Sequence, residues 1–189
     1  MAKKILEILV LLVVQPTKGW EMVANRKETH EEFLSHFIYP LLGICTLAAF
    51  VGELFGNGES NIQNSLKEAT VVLTSLFAGY YAASFTLKQI SVRWFHINED
   101  IHFFQRYTGY AMGITFVVTA VLELMPDLFF IRIADLAVFY IVWSSVENFI
   151  QIEEKNRIRF STIASALILL FPIIIEKILY TLMPGMKIN

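Results

Sequence analysis

The 189-residue chain reads as an all-α polytopic membrane protein, with five transmembrane helices behind an N-terminal amphipathic helix lying in the bilayer plane. Three observations lead there. Hydrophobic residues make up 56% of the chain and charged residues 17%, against roughly 45–50% and 25% in soluble domains. Apolar stretches of the ~20 residues needed to cross a bilayer recur along the sequence. The basic residues, finally, divide unevenly between the two sides those stretches define.

The first element is the least obvious. Residues 6–23 read LEILVLLVVQPTKGWEMV, and the run that precedes the break, Ile5 to Val14, is ten residues long. Such a run makes about 15 Å of helix against a hydrocarbon core of about 30 Å. Extending it to Val23 would bury Glu7, Gln15, Pro16, Lys18 and Glu21. QPTKGW offers no small-residue cleavage site, so a signal peptide does not fit. A helix in the bilayer plane, ending at Pro16 and anchored by Trp20 at headgroup level, fits all of these residues.

Five spans come next along the chain. They are expected at about Phe37–Phe55, Ala69–Ile90, Tyr107–Met125, Leu128–Ile150 and Phe160–Met183. Only Pro126 and Asp127 separate the third from the fourth. Pro40 and Pro172 fall inside spans, where each frees a backbone carbonyl and favours a kink. The chain therefore divides into residues 1–32 as a cytoplasmic N-terminal segment, 33–184 as a five-span domain and 185–189 as a short C-terminal tail.

Charge gives an independent check. With five spans, eleven of the 15 Lys and Arg residues fall on one side: five before the first span, three around Arg93 and three around Arg157. A sixth span at the N-terminus would change eleven against four into nine against six. The positive-inside rule thus places the N-terminus in the cytoplasm and the C-terminus outside. A net charge of -2 implies no nucleic-acid partner. The lone Cys45 rules out a disulfide framework and a thiolate metal cluster. There is no GxSxG elbow, phosphate loop, dinucleotide fingerprint, HExxH pattern or Cys/His zinc framework, so neither an enzyme nor a cofactor is expected.

The segment closing in QPTKGW, the FIYPLLG entry to the first span, RYTGYAMG in the third and the arrangement of spans together resemble the Yip family. These are Ypt/Rab-interacting membrane proteins, and the chain looks like their bacterial branch, with the resemblance running from about Leu6 to Met183. The resemblance implies a five-span bundle in a bacterial inner membrane and a non-catalytic role in organising or shaping the bilayer. The partners expected of the chain are the lipid bilayer, a second copy in a homodimer through its small-residue steps, or other membrane proteins. Rab-type GTPase binding carries over poorly, because only about thirty residues precede the first span.

Ionisable residues inside a bilayer are functional candidates, since an isolated charge there costs at least about 2.5–3.5 kcal/mol. Arg132 and Asp135 are three apart and share a helix face. Glu176 adjoins Lys177, and the topology brings Glu53, Glu123 and Asp127 to the same leaflet. One reading is an acidic cavity for a proton, a divalent cation or a cationic solute, as in a small transporter or ion-conducting protein. The other is that Asp135 pairs with Arg132 or Lys177 and pins the helices, which avoids an uncompensated charge. The two separate on structure. A transporter needs a water-accessible cavity reaching Asp135, with inward, unpaired carboxylates. A scaffold, the reading the sequence favours, needs a filled bundle, a paired Asp135 and an exposed self-association face near Gly109.

Other motifs carry weaker chemistry. His96, Glu99, Asp100 and His102 could ligate zinc or manganese, but a regular helix would not bring both histidines to one ion. Asp100 reads more simply as a helix cap, so no metal site is expected. His30 with Glu31, Glu32 and His36 is no better. Gly109 with Gly113, and Gly79 with Ala83, are small-residue steps that let backbones approach, within one chain or at a homodimer seam. Tyr80, Tyr81, Tyr107 and Tyr110 accompany them. Tyr39, Tyr107 and Trp94 read as interfacial anchors. Glu147 could join Ser144, Ser145 and Asn148 in a polar seam, and IEEKNRIR is at most an anionic-lipid contact.

Overall fold

The computed structural model describes residues 2–56, 61–150 and 152–183, apart from the side chains of Ala2, Glu147 and Asn148. The seam expected at Glu147 and the C-terminal tail therefore lie outside the described residues. No strand occurs among the described residues. Helix α1 (Ala2–Val14) and helix α2 (Pro16–Ala24) open the chain. Then come α3 (His30–Gly56), α4 (Ile62–Phe95), α5 (Ile101–Ala111), α6 (Gly113–Leu124), α7 (Pro126–Ser145) and α8 (Glu154–Leu182). Four of these, α3, α4, α7 and α8, are long and apolar enough to cross a bilayer. The pair α5 and α6, bent by 45°, makes a fifth span when taken together.

Local chemistry fixes the helix ends. Thr29 and Glu32 form a reciprocal capping box that starts α3. The Asn61 side chain accepts from the backbone N–H of Gln63 and Asn64 to start α4. Its 34 residues span roughly 50 Å, well beyond the hydrocarbon core. It stops at His96, whose φ of 57° is the left-handed conformation of a helix end. Asp100 then caps α5 through Phe103 N at 2.7 Å, as the sequence suggested. Met112, with ψ near -5°, interrupts the third span, which the sequence presented as continuous. The glycines on either side of this bend admit bulky neighbours, and such sites are where helices kink.

Helix α4 is the central post, packed against α3, α5 and α8. Two glycines set the closest approaches. A Cβ on Gly79 would lie 2.8 Å from the Pro172 backbone, so α4 and α8 touch main chain to main chain. A Cβ on Gly52 would lie 1.7 Å from the carbonyl oxygen of Glu123, which locks the end of α3 against the end of α6. Pro172 thus serves a close crossing, as the small-residue step at Gly79 and Ala83 suggested.

The opening segment is two helices, not one. Pro16 ends α1 and also takes the first turn of α2, where its missing N–H is no loss. Gln15 alone links them, and Gly19 lets α2 fold back onto Leu12. Ile5, Ile8, Leu9 and Leu12 are buried with the spans in a single core. Trp20, expected at headgroup level, is fully buried. Its Nε1–H donates to the carbonyl of Ile141 at 2.7 Å, and its ring stacks on Tyr107 at 5.2 Å. Tyr107 likewise is no interfacial anchor: it is fully buried and shares a hydrogen bond with Ser145 at 3.0 Å. Tyr39 and Trp94 do remain exposed.

Candidate functional site

A cleft opens between α4, α6, α7 and α8, near the end of the bundle where α6 and α8 finish and α4 begins. Its walls obey helical periodicity. Helix α6 contributes Thr115, Thr119 and Glu123, spaced i, i+4, i+8 on one stripe. Helix α8 contributes Leu169, Pro172, Ile173 and Glu176, and α4 contributes Val72, Ser75 and Leu76. From α7 come Arg132 and Asp135, the pair expected to share a face.

Three of the expected acidic residues, Glu123, Asp135 and Glu176, therefore line one space. Glu53 does not line it, but its charge acts on Glu123 and on Glu68. Asp127 is exposed and outside the cleft. Lys177 is also exposed and away from it, so of the two expected cations only Arg132 stands in the wall. Sequence reasoning missed Glu68, Thr115, Thr119 and Tyr180. Glu68 is half-buried, accepts a hydrogen bond from the Tyr180 hydroxyl and lies within reach of the charges of Glu53, Glu123 and Glu176. The threonine stripe ending in Glu123 was the signal that could have been read.

The electrostatics of the cleft are unbalanced. Among the described residues no ion pair joins Asp135 to Arg132 or to Lys177. Asp135 Oδ1 is buried and has no hydrogen-bond partner, and the same holds for Thr115 Oγ1. Thr115 is only 9% exposed, and its hydroxyl approaches the Asp135 carboxyl, on which the Arg132 charge also acts. Other buried hydroxyls, such as those of Tyr80, Ser161 and Ser165, also lack partners, but the Asp135 and Thr115 oxygens border the cleft, where a ligand, a water or an ion can satisfy them. The cleft has a volume of about 40 Å³, enough for roughly three waters. Its walls mix apolar side chains such as Val72, Leu169 and Ile173 with oxygen ligands, carboxylates and hydroxyls around one guanidinium.

The remaining sequence candidates are placed elsewhere. Gly109 is buried, and a Cβ there would lie 2.6 Å from Phe33 and 2.7 Å from Ile38. At Gly113 a Cβ would meet Leu9 at 2.5 Å. The GxxxG step is thus filled from within the chain by α1 and α3, leaving no open face at Gly109. His96, Glu99, Asp100 and His102 do not gather; His102 lies instead against His30, with ring centroids 4.2 Å apart. No group of three or more metal-ligating side chains occurs among the described residues. Tyr110 joins Glu28 and Arg26 on the N-terminal segment, and Arg106 bonds the Val23 carbonyl at 3.2 Å.

A family model described as Yip1 domain matches residues 10–175. No curated protein and no solved structure matches the chain.

Proposed function

We propose, from the premise that the chain belongs to the Yip1 domain family, that this integral membrane protein binds a proton or one small inorganic cation in the acidic cleft at Asp135. The binding serves a transport or ion-conducting role without covalent catalysis. One observation carries the reading: the unpartnered Asp135 Oδ1 and Thr115 Oγ1 at a cleft whose walls also bear Glu123 and Glu176. Charge narrows the ligand, because three carboxylates against one guanidinium in the walls favour a cation. All-oxygen ligation suits hard cations rather than thiophilic metals.

The organising or scaffolding role that the sequence favoured draws less support from this geometry. It called for a paired Asp135 and an open face at Gly109, and the cleft and the filled glycine step correspond to the other reading. The proposal keeps residues 33–184 as the five-span body and puts the N-terminus in the bacterial cytoplasm, supported by the eleven-to-four division of basic residues. The cleft then opens to the outside.

Thermal stability of the purified protein in detergent tests this, across pH and a panel of monovalent and divalent cations. A ligand that binds only the folded state stabilises it by about 2.7 kcal/mol at a hundred times its Kd. The wild type is expected to gain stability with one cation or with pH, and Asp135→Asn to lose that response. A response that is flat in both, with the variant uniformly less stable, would return Asp135 to a purely structural role.

A further inference from the structure

A second recess lies at the other end of α4, where its last turn meets the first turns of α8. It has a volume of about 350 Å³ and is lined by Trp94, Phe95, Asn156, Arg159 and Ile163. Its chemistry is divided. Phe95 and Ile163 make an apolar floor, while the Arg159 guanidinium, the Asn156 amide and the Trp94 indole bring hydrogen-bond donors to the rim. Arg159 is exposed and Trp94 is 58% exposed, so the rim is free to meet a ligand.

Charge of both signs surrounds the recess, with Glu154 exposed in the first turn of α8. Arg93, beside Trp94, is exposed. Lys155 is occupied: its ammonium sits 2.6 Å from Glu153 and holds that carboxyl below its usual range. Arg157 is turned onto the Trp143 ring, 4.5 Å from its centroid. Arg159 is therefore the cation of the recess walls.

We infer that this recess is a binding site for an anionic phospholipid, with the lipid phosphate on Arg159 and Asn156 and an acyl chain over Phe95 and Ile163. A free phosphate would leave the apolar floor unused. A zwitterionic lipid would bring its own ammonium against Arg159 and Arg93. Guanidinium and amide donors match phosphate oxygens, and tryptophan at a span end matches the headgroup level. The site is separate from the acidic cleft and shares no residue with it.

The test is lipid retention by the full-length protein, extracted from vesicles of equal phosphatidylglycerol and phosphatidylcholine and read by native mass spectrometry. The wild type is expected to retain phosphatidylglycerol in preference. Arg159→Gln should reduce that preference about fivefold, the effect of one basic residue at an anionic surface. Asn156→Leu should weaken it less. Asp135→Asn should keep it, which separates this site from the cleft. No preference in the wild type, or an unchanged preference in Arg159→Gln, would overturn the assignment. Displacement of the lipid by millimolar inorganic phosphate would also overturn it, by making the recess a general anion site.

Discussion

Single atoms decide the tightest points of this bundle. A methyl group on Gly52 would fall 1.7 Å from the Glu123 carbonyl oxygen, which belongs to a helix backbone and has no room to retreat. Gly52→Ala is therefore expected to destabilise the protein at or above the upper end of the about 1–3 kcal/mol typical of overpacking. Gly43 is the control: a Cβ there meets nothing within 4 Å, and Gly43→Ala should be neutral or slightly stabilising. Denaturant unfolding in detergent measures both. Equal effects would mean that α3 and α6 are free to slide apart. At this scale Asp135 and Arg132 were legible in the sequence because a charge inside a span stands out. Thr115 and Thr119 were not, because hydroxyls are common in spans and only the stripe shared with Glu123 marks them. Glu68 lies one residue outside the span expected at Ala69–Ile90, so it does not stand out as a charge inside a span.

At the scale of the element, the N-terminal hairpin is the part the sequence disguised. A ten-residue apolar run and a proline describe a helix that stops, and α1 does stop at Val14. The nine residues of α2, PTKGWEMVA, are too few and too mixed to announce a helix, yet tertiary contacts hold them as one. Trp20 is the centre of those contacts, with a hydrogen bond to α7 and stacking on Tyr107 of α5. Trp20→Ala is expected to lose about 3–5 kcal/mol, as for a large buried aromatic. Trp20→Phe keeps most of the ring contacts and should lose only about 0.5–1.5 kcal/mol with the hydrogen bond. Chemical denaturation of the two variants checks the ranking, and a loss below about 1 kcal/mol for the alanine would mean that the hairpin is only loosely attached. The bend at Met112 was equally hidden, since glycines at positions 109 and 113 signal close packing but not which neighbour fills the space.

Across the whole molecule, the five-span plan was readable because hydropathy needs only composition over ~20 residues, and each expected span coincides along most of its length with an observed helix or helix pair. The cleft was readable only in part. Sequence placed several carboxylates in one half of the bundle, but whether they pair or gather depends on how four helices rotate about their axes. That rotation is set by contacts such as Gly79 against Pro172, which lie almost a hundred residues apart. With this packing, Glu123, Asp135 and Glu176 face one shared cleft.

Water access to that space is the claim on which the proposed function rests, and thiol labelling measures it most directly. Cys45 is the only cysteine and is buried, so a Cys45→Ala background carrying Thr119→Cys presents one thiol in the cleft wall. A membrane-impermeant thiol reagent added to intact cells is expected to modify it, and to do so more slowly when the stabilising cation is present and Asp135 is intact. A thiol at position 119 that resists the reagent in folded protein, or reacts only from the cytoplasmic side, would contradict the proposal.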